Sequence, residues 1–286
     1  MTKNPAISLR SRWLSERLRE ARHRAGYTLA DAGEYLQLDQ TSLGRFERGT
    51  HRIRRSYVKD LLDYYGVSST QERDFLLRLS EDAWRKDWSD LDVTGLDTEF
   101  IDYTWFESQA VQIRIFEPLL IHGLLQTSAY TEALTRRELG GTATDAEVQR
   151  VVEVRQARQR IVTSDMPTPM SVIVEEPALR RPIGGPETLQ AQLESLLQLC
   201  DAGAVRLRVL PMDAPTDPGH HGPFTLFGMP DPYPEVAYVE NLAGRTFFEE
   251  ETRVSKFVHV FNELERSALS LGESRSMIVD IVKELE

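Results

Sequence analysis

Apolar residues return every three or four positions from Leu9 to Arg24 (Leu9, Trp13, Leu14, Leu18, Ala21). That is the period of a single helix face, and Gly26 supplies its stop. Thr28 then reads as the N-cap of a short helix through Leu36. A three-residue turn around Gln37–Asp39 follows, with Asp39 placed to cap a helix that runs to Arg48 and ends at Gly49. Two more apolar faces complete the segment. One is Tyr57, Val58, Leu61, Leu62 and Tyr65, between Ser56 and Tyr65; the other is Phe75, Leu76, Leu79 and Ala83, between Ser69 and Trp84. Five short helices within residues 1–85 predict a compact all-α domain.

The pattern then changes. Residues 86–100 (KDWSDLDVTGLDTEF) are acidic and glycine-punctuated, which reads as a linker. Over residues 101–286 helical spacing is expected near 102–116, 127–139, 144–162 and 186–200, and again over 250–286 with a break near Gly272. Strand-like runs lie at 170–176, 204–210, 223–229, 235–240 and 245–249, with proline-rich loops at 165–169 and 211–223. Short turns join the last strands. The expected class is therefore α+β: an all-α five-helix domain, then a larger mixed α/β domain whose sheet is mostly antiparallel.

Composition narrows the setting. Hydrophobic residues make up 41% and charged residues 28%, ordinary values for a soluble globular chain, and no apolar run has membrane-spanning length. The first residues, MTKNPAISLRSRW, lack the apolar core of a signal peptide, and a single cysteine, Cys200, fits a reducing cytoplasm. Cys200 closes an apolar helical stretch and reads as a buried structural thiol. The net charge of −11 argues against a nucleic-acid partner until it is divided. Residues 1–60 hold 13 Lys+Arg against 7 Asp+Glu, a net of +6, and the remainder holds 21 against 38, a net of −17. A polyanion is attracted to the first segment and repelled by the rest.

The stretch LADAGEYLQLDQTSLGRFERG explains the positive segment. A helix-turn-helix needs a small residue where its helices cross, apolar residues facing the shared core and polar ones outward on the second helix. Gly33 stands at the crossing; Ala32, Leu36, Leu38, Leu43 and Phe46 take the core positions; Gln40, Thr41, Gly44 and Arg45 are left facing outward. Double-stranded DNA is the expected partner. Gln40 suits adenine, Arg45 suits guanine O6 and N7, Thr41 suits a thymine methyl or a phosphate, and Gly44 lets the helix approach closely. Thr28 and the run of Arg48, Thr50, His51, Arg52, Arg54, Arg55 and Ser56 are expected on phosphates, fixing register without reading sequence. Glu47 is expected to partner a nearby arginine or backbone group. The competing reading is a helical bundle that uses the same spacing to bind protein.

These residues resemble the phage-repressor-like regulators of the xenobiotic-response-element (XRE) family, and LGRFERG is similar to their S-x-[IV]-E-x-G ending with Gly44 at the serine. Two positions depart from the family pattern: Gln37 replaces a turn glycine, implying a strained backbone there, and Gly33 replaces an alanine. Further on, FESQAVQIRIFEPLLIHGLLQTSAYTEAL, VIVEEPALRRPIGGPETLQAQLESLL, VRLRVLPMDAPTDPGHHGPFTLF and VAYVENLAGRTFFEEE resemble successive blocks of actinobacterial XRE-type regulators described as antitoxin-like. Those proteins share a conserved C-terminal domain of unknown function; His122 here stands where they commonly have proline. The resemblance implies a small partner protein as a candidate ligand of that domain, with a small-molecule sensor as the alternative. A homodimer is expected, since such proteins usually bind near-palindromic sites.

Other chemistry finds little footing. GLLQTSAY reads as a turn into a helix capped by Thr127 or Ser128, and EEPALRR as a salt-bridged sheet edge. His220 and His221 are adjacent in a glycine- and proline-rich loop and lack partners at metal-ligand spacing, so no metal or cofactor is expected. The sequence contains no G-x-S-x-G, P-loop or HExxH, and no enzymatic activity is expected.

Overall fold

A computed structural model describes residues 7–83, 98–140, 143–214, 222–231 and 233–286. His220, His221 and most of the expected 86–100 linker lie outside the described residues. The chain divides into two compact units: residues 1–106 with 231–233, and residues 107–230 with 234–286.

The first unit is built from α1 (Leu9–Arg24), α2 (Leu29–Tyr35), α3 (Gln40–Phe46), α4 (Arg55–Tyr64) and α5 (Thr70–Asp82), joined by the opening of α6 (Thr98–Gln109). Four starts are capped by a side-chain oxygen that accepts a backbone N–H: Ser8, Thr28, Asp39 and Ser69. Three ends turn through a glycine with positive φ, Gly26, Gly49 and Gly66. The apolar stripes converge on one core, where Leu14, Leu18, Leu43, Val58, Leu62, Leu76 and Leu79 are at most 2% exposed. Each such side chain contributes roughly 1.5–3 kcal/mol through burial. α6 is held by a buried ion pair, Arg10 Nε to Asp102 Oδ1 at 3.1 Å, and by the Leu9 N–H donating to Asp102 Oδ2 at 2.7 Å. Trp13 meets Phe106 edge-on at 5.7 Å.

The second unit holds a six-stranded mixed sheet, in order β3-β2-β1-β4-β5-β6. Its strands are β1 (Gln112–Glu117), β2 (Met170–Glu175), β3 (Arg206–Leu210), β4 (Phe224–Gly228), β5 (Val236–Asn241) and β6 (Gly244–Phe248). β1, β2 and β3 run parallel, while the β1–β4, β4–β5 and β5–β6 pairs are antiparallel, so antiparallel pairing prevails as expected. Helices α7 (Ser128–Leu139), α8 (Asp145–Arg158), α9 (Arg160–Thr163), α10 (Glu176–Arg180), α11 (Pro186–Asp201), α12 (Glu251–Ser267) and α13 (Leu271–Leu285) complete it. Val254, Phe261 and Leu264 of α12 cover one sheet face through Phe116, Ile173, Leu210, Phe224, Leu226 and Ala237.

Three expectations are corrected. The helix expected over 102–116 ends at Gln109, and Gln112–Glu117 is β1, the strand that joins the parallel and antiparallel halves. Ile113 and Ile115 alternate with polar neighbours and are fully buried, which is a strand's period of two. The break in the C-terminal helical stretch falls at Ala268–Ser270 rather than Gly272, because Ser270 and Glu273 form a capping box that starts α13. The expected sheet edge at EEPALRR is instead a short helix begun by Pro177, with Arg180 paired to Glu176 at 2.7 Å and to Glu284 at 2.5 Å.

The GLLQT segment is explained as a structural joint. Gly123–Leu125 form one 3-10 turn, and Thr127 is the residue that caps α7. Gln192 accepts from the Thr127 N–H at 2.7 Å and donates to the Leu125 carbonyl at 2.7 Å, so both the oxygen and the nitrogen of its buried amide are engaged. Gln126 in turn donates to the Ile121 carbonyl and accepts from Thr131 and Arg155. Cys200 is half-buried in α11, and burial pushes its thiol pKa up, away from reactivity.

Candidate nucleic-acid interface

α2 and α3 form the helix-turn-helix. Gly33 faces α3 so closely that a Cβ there would lie 3.0 Å from the Leu38 carbonyl oxygen. The turn between the helices takes Gln37 through φ 55°, the positive value the sequence implied. Its flanking N–H groups are satisfied, Gln37 to Glu34 at 3.0 Å and Leu38 to Gly33 at 2.9 Å. Two ties fix α3 to α1. The Ser15 hydroxyl donates to the Phe46 carbonyl at 2.8 Å. Arg22 grips Glu47 through Nε to Oε1 at 2.7 Å and Nη2 to Oε2 at 2.8 Å, both side chains 5% exposed. Glu47 is thus an arginine's partner, as expected.

The outward face of α3 presents Gln40, Thr41 and Arg45, all exposed. Gly44 is different: it is buried, because the Arg48 guanidinium lies over it, and a Cβ at Gly44 would sit 3.1 Å from Arg48 Nη1. The expected open approach at Gly44 is therefore filled by an arginine folded back along the helix. Among the described residues, Arg45, Arg48, Arg52 and Arg54 have no carboxylate partner, whereas Arg55 Nε pairs with Glu81 at 2.7 Å. The pair is exposed, worth ~0–1 kcal/mol, and easily exchanged for a phosphate.

Two expected phosphate contacts already use their donors. The Thr28 N–H and hydroxyl both donate to Asp31 Oδ2, at 2.7 and 2.8 Å, holding that carboxyl below its usual pKa. The Thr50 hydroxyl donates to the Arg45 carbonyl at 3.1 Å. His51 and Ser56 are exposed, and His51 Nδ1 lies 3.4 Å from Thr50 Oγ1. The start of α4 adds a feature that lies in no single side chain. Alone among α1–α5 it has no side-chain cap, and Arg52, Arg54 and Arg55 stand at its start in the sequence. The signal was present in the sequence, since Ile53–Arg54–Arg55 offers no capping residue where the other four starts do. A helix start without a side-chain cap, flanked in sequence by arginines, suits an anion.

This geometry defines the class. A helix-turn-helix domain model matches residues 13–76, spanning α2, α3, α4 and every expected DNA contact, and such a domain indicates a DNA-binding regulator. The rest of the chain matches a domain of unknown function, DUF5753, over residues 100–280. That is more than half the length, and the chain belongs to this family. No curated protein and no solved structure matches it. No helix of the described residues is long and apolar enough to cross a membrane, and they contain no group of three potential metal ligands.

Proposed function

We propose that the protein is a sequence-specific transcriptional regulator of the XRE type, acting as a homodimer in the cytoplasm. Its second unit, antitoxin-like, binds a small partner protein. The observation that carries the DNA reading is the outward face of α3, tied to α1 by Arg22–Glu47 and followed by Arg48, Arg52 and Arg54, which like Arg45 have no carboxylate partner among the described residues. Gln40, Thr41 and Arg45 read base edges from the major groove. Arg52, Arg54, Arg55 and the uncapped start of α4 hold phosphates, and Arg48, lying over Gly44, adds a positive charge beside α3. No chemical step is needed. The acidic remainder, net −17 over residues 61–286, suits a basic partner. The test is anisotropy of labelled DNA from the protein's own upstream region. Binding above random DNA that weakens steeply with salt supports the reading. Equal affinity for both DNAs removes sequence specificity from it.

A second reading, a small-molecule sensor, draws on a cavity of about 380 Å³ lined by Pro234, Glu235, Glu249, Glu251, Val254, Ser255 and Val258. Its size lies within the range of ligand pockets, and its largely apolar lining with Glu251 at its edge favours an apolar compound carrying a cationic group, Glu235 being already paired with Arg114. Release of operator DNA by such compounds, without any partner protein, would favour this reading.

A further inference from the structure

The first unit also carries an aromatic feature that DNA reading leaves unused. Tyr64, at the end of α4, lies between two other tyrosine rings. Its centroid is 4.2 Å from that of Tyr27 with 21° between planes, and 4.1 Å from that of Tyr35 with 13°. Stacking of this kind adds to the buried area in holding the three rings together, so the ladder is pre-organised. Trp13 and Phe75 of the same unit are under a tenth exposed, whereas Tyr35, at one end of the ladder, is 46% exposed. A rigid, half-open aromatic surface is the kind of feature that anchors protein interfaces.

Charge decides the occupant. The exposed face of α2 presents Asp31 and Glu34 beside the ladder, and Glu34 has no partner among the described residues. On α2, Asp31 stands one helical turn before Tyr35 and Glu34 directly before it; desolvation within the stack, then Tyr27, Asp31 and Glu34, push the Tyr64 hydroxyl pKa up. The π-faces and carboxylates attract a cation and repel phosphate, so DNA is the wrong occupant. A guanidinium fits better than an ammonium: it is planar, extends the stack beyond Tyr35, and offers N–H groups to the neighbouring Glu34 carboxylate. We propose that the Tyr27–Tyr64–Tyr35 ladder, with Asp31 and Glu34, is a docking surface for an arginine-bearing segment of a protein partner, separate from the DNA contacts.

The test uses full-length protein with ¹³C-labelled tyrosine rings, titrated with a peptide of alternating glycine and arginine and with its lysine counterpart. Tyr→Phe replacements assign the ring signals. The Tyr27, Tyr35 and Tyr64 rings are expected to shift with the arginine peptide about fivefold more tightly than with the lysine peptide. Glu34→Gln, a surface change, should weaken the arginine response by a similar factor while leaving DNA affinity unchanged. Rings that do not move, equal responses to both peptides, or a Glu34→Gln variant identical to wild type would each overturn the proposal.

Discussion

Replacing Glu47 by glutamine removes one charge from an enclosed pair at the end of the recognition helix. Arg22 donates to both carboxylate oxygens at 2.7 and 2.8 Å, and its Nη1 also donates to the Tyr27 carbonyl at 2.9 Å. With both side chains 5% exposed, water cannot readily replace the lost acceptor. Removing one partner of a buried pair costs roughly 3–5 kcal/mol. Glutamine keeps the shape and one acceptor oxygen, so the expected loss is about 2–4 kcal/mol. Native-state hydrogen exchange of the full chain reads it as faster opening of the α3 amides. A loss of about 2 kcal/mol corresponds to roughly 30-fold faster exchange. Arg22→Met with Glu47→Leu removes both charges and should recover most of the protection. Unchanged exchange in Glu47→Gln, or no recovery in the double variant, would refute the claim that this pair braces the helix.

Arg45→Ala should lower operator affinity by about 10- to 100-fold while sparing non-specific binding; Arg54→Ala should weaken both and flatten the salt dependence by about one unit of slope. Equal losses on all sequences for Arg45→Ala would remove it as a base reader. Gly33→Leu should destabilise the first unit by at least ~1–3 kcal/mol, since even a Cβ there meets Leu38 at 3.0 Å, and an unchanged thermal midpoint would contradict the crossing. Gln37→Gly should stabilise by about 1 kcal/mol in a urea melt by relieving φ 55°, and a destabilised variant would show that no strain resides there. In the second unit, burial and then Arg158 and Arg155 push His122 down to about 3, so stability is lost as pH falls below the ordinary 6.5. Burial and then Glu240 push Glu117 up from 4.5 to about 8, so the folded state binds the extra proton and stability is lost as pH rises through that interval. The melting temperature should therefore be highest between about pH 4.5 and 6.5. Glu117→Gln should flatten the alkaline side; a variant that keeps the same decline contradicts the assignment.

The helix-turn-helix was legible because its local signals agree. Thr28 and Asp39 cap, Gly49 stops, and the apolar stripe of Ala32, Leu36 and Leu43 is buried where the spacing put it. β1 was hidden because VQIRIFE follows directly on a helix, and its apolar residues extend that helix's pattern unless the alternation of Ile113 and Ile115 is weighed alone. The parallel pairing of β1, β2 and β3 joins segments far apart in sequence, beyond the reach of turn chemistry. Burial of Gly44 depends on where the Arg48 side chain lies, which spacing does not encode. The missing cap of α4 is the opposite case: Arg54 stands at the N-cap in the sequence itself, and its side chain cannot accept the first-turn N–H groups.

The most direct test of the central claim is selection of binding sites from random double-stranded DNA by the purified full-length protein, with Arg45→Ala alongside. The account predicts a near-palindromic motif with half-sites about one helical turn apart, or a multiple of it, and loss of preference at one position in each half-site for the variant. Enrichment of no motif, or the same motif from both proteins, would contradict it.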